Sequence, residues 1–294
     1  MNRRTYGAID IGSNAIRLLI NYVEQDGKSI IYKKAAFVRV PIRLGEDVFN
    51  QGKVSDEKKE RLANAMMGFS SLLKTFNVDG YRACATSAMR EAGNGAEVID
   101  YIKETSGISL EIITGEIEAD TIFAASDSAG IMNPTATYLF VDVGGGSTEV
   151  TVYSEAKSVA RASFPIGTVR MISDAVGKES FKEFKEWLEK EALPFSPVAI
   201  VGSGGNINKV HKLLSKKERE DMTYVELKIL YEHLKDMSYD QRVKNLGLNA
   251  YRADVIMPAM KIFLTASKQC RISRIMVPKI GLADGIIHTL ATNQ

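Results

Sequence analysis

The stretch Val141-Asp142-Val143-Gly144-Gly145-Gly146-Ser147-Thr148-Glu149-Val150-Thr151-Val152 decides the fold. Thr137 to Val143 is an apolar run that reads as a buried strand, and three glycines with Ser147 read as a turn. Thr148 to Tyr153 is rich in β-branched residues, so the turn enters a second strand rather than a helix. Glycine lets backbone amides reach an anion without interference from Cβ, and serine or threonine adds hydroxyl donors. A carboxylate just before such a turn repels phosphate, but it can hold a magnesium ion, or waters around one, that bridges phosphate oxygens. Asp142 has that place.

Two commoner phosphate-binding designs do not match. A P-loop requires Gly-x-x-x-x-Gly-Lys-Ser/Thr, whereas Gly177-Lys178 is followed by Glu179 and lacks the upstream glycine. A dinucleotide-binding turn must lead into a helix whose N-terminus holds the pyrophosphate. Strand-turn-strand phosphate loops belong instead to the actin, sugar-kinase and chaperone ATPase architecture.

The beginning of the chain repeats the unit. Tyr6 to Ile11 reads as a strand ending on Asp10-Ile11, Gly12-Ser13-Asn14 as a turn, and Ala15 to Val23 and Ser29 to Val40 as two further strands. In the second unit Lys157 to Phe164 supplies the third strand. The two units lie too far apart for a solenoid and fit a duplicated domain. With a boundary near Ala124 to Asn133, residues 1–124 form an N-terminal domain and 125–294 a C-terminal one, and a last helix at about 282–294 is free to pack back onto the first.

Between and after these units, Ser55 is an N-cap ahead of Asp56 and Glu57, with Leu62, Met66, Phe69, Leu73 and Phe76 at helical spacing. Gly80 to Ala85 reads as a strand, Ala96 to Thr105 as a helix and Leu110 to Thr114 as a strand. A third glycine turn, Gly202-Ser203-Gly204-Gly205, follows the short strand Val198 to Val201. Phe181, Phe184, Trp187 and Leu188 form an apolar stripe that reads as core. Asp254 to Ser267 is read as a helix, Arg274 to Val277 as a strand and Leu282 to Leu290 as a helix.

These motifs resemble one family: the exopolyphosphatase and guanosine-pentaphosphate phosphohydrolase (Ppx/GppA) family. The resemblance rests on Ala8 to Asn14, Ala85 to Ala92, Ile113 to Ala119, Val141 to Glu149, Phe164 to Arg170 and Arg252 to Ile256, in the family's order and spacing. It implies an α/β fold of two RNase H-like (actin-like ATPase) domains with a cleft between them. Residue spacing alone leaves Glu116 and Glu118 equally eligible as a base; the resemblance selects Glu118 to activate the attacking water. It also implies that Arg90 contacts phosphate, and that Asp142 and Glu149 hold magnesium (or manganese), with Asp10 in the corresponding first motif. Gly12, Ser13 and Asn14 are expected near the phosphates. Gly144, Gly145, Gly146, Ser147 and Thr148 are expected to cradle the terminal phosphate, with Gly204 and Gly205 in the third turn. The substrate implied is inorganic polyphosphate or a guanine alarmone, and a homodimer is a family-level expectation. Asp120 stands where members commonly have arginine, and Gly281-Leu282-Ala283-Asp284-Gly285 replaces a Gly-Leu-Arg-x-Gly pattern. Longer members continue into a helical domain of HD-phosphohydrolase type, so the chain is read as the short form.

Composition narrows the field further. The 294 residues are 45% hydrophobic and 25% charged, ordinary values for soluble proteins. With 38 basic and 36 acidic residues, the net charge of +2 argues against a duplex-DNA binder. No apolar run is long enough to cross a bilayer. Met1 to Thr5 passes directly into a strand, so a signal peptide is not expected and the location is read as cytoplasmic. Cys84 and Cys270 read as buried thiols, and His211, His233 and His288 as surface or capping residues without metal-ligand spacing. The basic run Lys209, His211, Lys212, Lys216, Lys217 and Arg219 is read as a solvated helix face in preference to a polyphosphate track. Thr86-Ser87, beside Arg90, reads as a ligand-facing loop.

Overall fold

A computed structural model describes residues 3–26 and 29–293. The chain divides into two units: Met1–Ala125 with Leu282–Gln294, and Ser126–Gly281.

In the first unit β1 (Arg3–Ile11), β2 (Ile16–Asp26) and β3 (Ser29–Val40) form an antiparallel meander. Two short-range helices, α1 (Leu44–Gln51) and α2 (Asp56–Thr75), lead to β4 (Gly80–Ala85), which lies parallel to β1. Then come α3 (Ser87–Glu91), α4 (Gly95–Ser106), β5 (Glu111–Ile112) and α5 (Gly115–Ser128). The sheet order is β3-β2-β1-β4-β5. Helix α2 starts where Ser55 accepts a hydrogen bond from the Lys58 amide, and it buries Leu62, Met66, Phe69 and Leu73 against the sheet core of Ile9, Ile11, Leu18 and Ile20.

The second unit repeats the meander with β6 (Tyr138–Val143), β7 (Thr148–Ser154) and β8 (Lys157–Phe164). Helices α6 (Thr168–Ile172) and α7 (Ser180–Trp187) precede β9 (Ala199–Ser203), parallel to β6, and α8 (Gly205–Leu213). The remainder is β10 (Met222–Thr223), α9 (Tyr224–Lys235), α10 (Tyr239–Leu246), α11 (Ala250–Ala253), α12 (Ile256–Gln269) and β11 (Arg274–Met276). The order is β10-β11-β9-β6-β7-β8. Every residue of β6 is buried, as expected for a central strand covered on both faces. Phe184 and Leu188 lie in the core with Phe164, as the stripe implied. Each unit is therefore an antiparallel meander continued by parallel strands, the RNase H-like arrangement, and the chain is an α/β protein of two actin-like domains.

The last helix, α13 (Leu282–Thr292), packs on β1, β2 and β4 of the first unit. Gly285 explains how closely it seats: a Cβ there would lie 2.3 Å from the Thr121 carbonyl oxygen of α5. Local differences from the sequence reading have plain causes. The strand expected over Leu110 to Thr114 shrinks to Glu111–Ile112, because Thr114 already accepts the Ile117 and Glu118 amides of the coming helix. The third glycine turn, for which the sequence named no following element, leads into α8. His211 is neither surface nor cap: it is buried, with Nε2 2.7 Å from the Glu220 carbonyl oxygen. Both cysteines are buried free thiols, and burial pushes each up to about 12.

His288 of α13 joins β3 through its Nδ1, 2.7 Å from the Tyr32 hydroxyl. Burial holds this imidazole below its ordinary value of 6.5 and Tyr32 above its own. The unfolded chain therefore binds more protons than the folded one at mildly acid pH, so stability rises with pH there. Urea unfolding between about pH 7.5 and pH 5 is expected to show stability lost on acidification, with a shallower loss in His288→Asn. A loss of equal slope in the variant would free His288 of the effect.

Candidate functional site

In the first unit the candidate residues gather around the end of β1. Asp10 is buried there and paired with the Arg17 guanidinium of its register partner on β2. The turn that follows closes through the Gly12 amide donating to the Ala15 carbonyl at 3.2 Å. Ser13 is buried with its hydroxyl 2.8 Å from that of Ser87, and the Thr86 amide donates to the Ile11 carbonyl. Thr86-Ser87 thus stands against the first turn. The Asn14 carbonyl accepts the amide of Arg43, whose side chain pairs with Glu46.

Arg90, in the last turn of α3, donates from Nη1 to the Ile113 carbonyl at 2.7 Å. That carbonyl immediately precedes Thr114 and the first turn of α5, where Glu116 and Glu118 lie. Because α5 is already helical, two residues apart means nearly opposite directions: Glu118 is half-buried and Glu116 exposed. Asp120 is also exposed.

In the second unit the glycine turn is shaped from outside. The Gly144 amide donates to the Ser147 carbonyl at 3.0 Å, closing the turn. The three glycine carbonyls are all taken by the start of α6. Gly144 accepts from the Thr168 amide at 3.0 Å, Gly145 from the Val169 and Arg170 amides at 2.8 and 3.0 Å, and Gly146 from Arg170 Nε at 2.7 Å. In a trans peptide each carbonyl points opposite to the following N–H. Turning three carbonyls toward α6 therefore turns the amides of Gly145, Gly146 and Ser147 away from it. Amides exposed by a glycine turn in this way are donors of the kind that bind anions. Gly167 permits this, since a Cβ there would lie 2.3 Å from the Gly145 oxygen.

Asp142 and Glu149 flank the cradle as register partners on β6 and β7, so both point to one sheet face. They are 5% and 3% exposed. Glu149 Oε1 accepts from the hydroxyls of Ser147 at 2.6 Å and Ser163 at 3.0 Å. Thr148 braces the loop, its hydroxyl donating to the Ile166 carbonyl. The third turn abuts the same place: Gly204, at φ +111°, would put a Cβ 2.7 Å from the Val143 oxygen, and α8 begins at Gly205. The helix N-terminus adds partial positive charge there. Among the described residues no group of three or more His, Cys, Asp or Glu side chains is gathered as a metal nest.

Sequence reasoning placed the turns and carboxylates but missed what shapes them. Ser163, and Gly167 and Arg170 as braces of the loop, carry no recognisable chemistry in the sequence. Their only signal is that Gly167 and Arg170 fall within a family motif, Phe164 to Arg170.

Glycine loops between strands, beside buried carboxylates and repeated in two RNase H-like units, define a phosphate-handling protein of the actin-like class. The Ppx/GppA phosphatase family matches residues 29–294, and the chain belongs to it. That family is a class of phosphoanhydride hydrolases. A solved member from Aquifex aeolicus is 28% identical, covers 100% of both chains and superposes with a TM-score of 0.78. A solved exopolyphosphatase-like protein is 26% identical with a TM-score of 0.80, covering 98% of this chain and 97% of that one. A bifunctional 3-dehydroquinate synthase/phosphatase of Fusobacterium nucleatum is 27% identical over 272 residues, 85% of this chain but 41% of its own length.

The cradle's dependence on Gly167 is open to test. Replacing Gly167 by Ala forces Cβ against a carbonyl that is already fixed, so the amides of the loop must rotate. Displacement of about 1 Å at such a site costs on the order of 100-fold in rate. Gly167→Ala is expected to lower kcat/KM for phosphate release by at least tenfold while circular dichroism stays native. Unchanged kinetics would show that α6 does not set the loop.

Proposed function

We propose that this chain is an exopolyphosphatase, releasing terminal phosphate from inorganic polyphosphate by metal-assisted attack of water. The observation that carries the reading is the capture of the Gly144, Gly145 and Gly146 carbonyls by the start of α6, which turns the following amides away from it, with two buried carboxylates beside the loop. Such a loop suits a terminal phosphoryl group, whose charge sits on its outer oxygens in the transition state.

The donor set beside the loop fits magnesium or manganese. Asp142 and Glu149 offer only oxygen donors, buried and on one face of the sheet, which suits a hard divalent cation. When bound, the metal would neutralise developing charge on the phosphate oxygens. Asp10 joins this set only if it gives up Arg17.

The roles of the side chains follow from the bond changes. Water oxygen attacks the terminal phosphorus, and the bridging P–O bond breaks with its electron pair going to the shortened chain. Glu118 takes the proton that water loses. Arg90 carries positive charge to the phosphates, and its bond to the Ile113 carbonyl keeps it beside the segment that leads into Glu118. The amides of Gly12, Ser13 and Asn14 and those of Gly204 and Gly205 add donors of the same kind.

Short substrates suit this chain best. Asp120 and Ala283 each stand where an arginine would add a cationic contact, and a long chain needs many such contacts. We therefore expect a preference for chains of about ten phosphates or fewer, the reach of one domain roughly 30 Å across. The same loss of cations keeps a second reading in play: 5′-phosphate hydrolysis of guanosine pentaphosphate by the same residues. Phosphate release per chain end from size-fractionated polyphosphate and from guanosine pentaphosphate, without acceptor, decides between them.

Glu118→Gln keeps the shape but removes the proton acceptor. It is expected to lower kcat by about 100- to 10,000-fold with substrate binding retained. Activity within a few-fold of the parent would remove Glu118 from the role. Chelation of divalent metal is expected to stop turnover and magnesium to restore it. Asp142→Asn should raise the metal concentration needed for half-maximal activity, because one negative ligand is lost. Turnover indifferent to chelator would sink the metal assignment.

A further inference from the structure

The first glycine turn has a clamp of its own, reached from the start of α1. The amides of Arg43 and Gly45 donate to the carbonyls of Asn14 and Ser13 at 3.0 and 2.9 Å. Because the Ser13 carbonyl is turned toward α1, the Asn14 amide is turned away from it. Gly45 permits the approach: a Cβ there would lie 3.0 Å from the Ser13 Cβ and 2.6 Å from the Phe49 ring. The turn is thus gripped through its carbonyls by the start of a helix, as the loop of the second unit is gripped by α6.

The grip passes through a strained residue. Arg43 lies in the left-handed region, at φ 60° and ψ 47°, which is unfavourable for a residue with a Cβ. Lys58, in the first turn of α2, holds that residue from behind. Its Nζ donates to the Arg43 carbonyl at 2.7 Å, and it meets Asp47 Oδ1 at 2.6 Å and Glu46 Oε2 at 3.3 Å. The three donors of an ammonium therefore have three acceptors, one of them the carbonyl of the strained residue. Lys58 and Asp47 are each only 9% exposed, and Asp47 also accepts the Ser55 amide at 3.1 Å. Burial works against the charge of Asp47, yet the hydrogen bonds from Lys58 and Ser55 hold its carboxyl below the ordinary value. The pair ties the starts of α1 and α2 together, and its cation fixes the backbone that grips the turn.

We propose that Lys58 is a positioning residue for the first phosphate turn: through the Arg43 carbonyl it holds Arg43 and Gly45 where their amides fix the Asn14 and Ser13 carbonyls, and so sets the direction in which the Asn14 amide meets substrate phosphate. The inference rests on the polyphosphate reading above and deepens it, giving a buried lysine of α2 control over how firmly the first turn binds.

Amide hydrogen exchange and steady-state kinetics of the full chain test it, on the parent, Lys58→Met, Lys58→Arg and Lys58→Met/Asp47→Asn. The double variant removes both charges and keeps an acceptor for the Ser55 amide, so it takes the place of Lys58→Met where the single change fails to fold. Removing the lysine is expected to speed exchange at Arg43 and Gly45 by about tenfold or more relative to the amides of α4. It is also expected to raise KM for polyphosphate about tenfold with kcat held within about threefold, the loss of one hydrogen bond to a charged group. A merely structural role gives another pattern: fewer folded molecules lower kcat and leave KM unchanged. Lys58→Arg, which keeps donors for the Arg43 carbonyl, is expected to recover most of the KM. Three results would overturn the assignment: Arg43 and Gly45 as protected without the lysine as with it, KM unchanged although those amides exchange faster, or Lys58→Arg no better than Lys58→Met. A parent that releases no phosphate from polyphosphate overturns the reading of function instead, and exchange at Arg43 and Gly45 still decides whether Lys58 sets the turn.

Discussion

Everything at the glycine loop of the second unit depends on one constraint, the planarity of the peptide bond. Once the start of α6 captures the carbonyls of Gly144, Gly145 and Gly146, the next three amides have no choice of direction. The cradle is therefore made by the far side of the chain, where Gly167 lets α6 approach to a distance that any Cβ would forbid. Arg170 adds a charged donor to the third carbonyl, and it is nearly buried, so the bond is made in surroundings where it is strong. The loop needs no strain to hold its shape; none of its three glycines has a positive φ.

The same economy appears in the first unit. The Ser13 and Ser87 hydroxyls meet, the Thr86 amide reaches the Ile11 carbonyl, and Arg90 reaches Ile113. These bonds tie the first turn, α3 and the entry to α5 into one continuous piece. Gly285 then lets α13 press on α5 one turn beyond Glu118. A residue near the C-terminus is thus part of what holds the helix carrying the proposed base.

Much of the fold was legible in the sequence because its signals are local. The period-two strands, the helical stripe of α2 with its Ser55 cap, and the strands after the first and second glycine turns all follow from residue type and spacing. The Ala85-to-Ala92 and Phe164-to-Arg170 motifs were visible as well, but only as a resemblance. Their physical purpose, gripping neighbouring turns, was not. His211 illustrates the limit: its type suggests an exposed group, yet the carbonyl of Glu220, nine residues on, gives it a reason to be buried.

The sequence by itself determined the repeated aspartate-turn units, the carboxylates and the glycines, because each depends on a residue and its immediate neighbours. Tertiary structure decided which way the loop carbonyls point, that Glu118 rather than Glu116 is half-buried, and that Lys216 is held by Glu220 and Glu226. These depend on where a distant carbonyl, carboxylate or guanidinium comes to rest. A chain read one segment at a time does not contain that information, since charge and hydrogen bonding act through space rather than along the backbone.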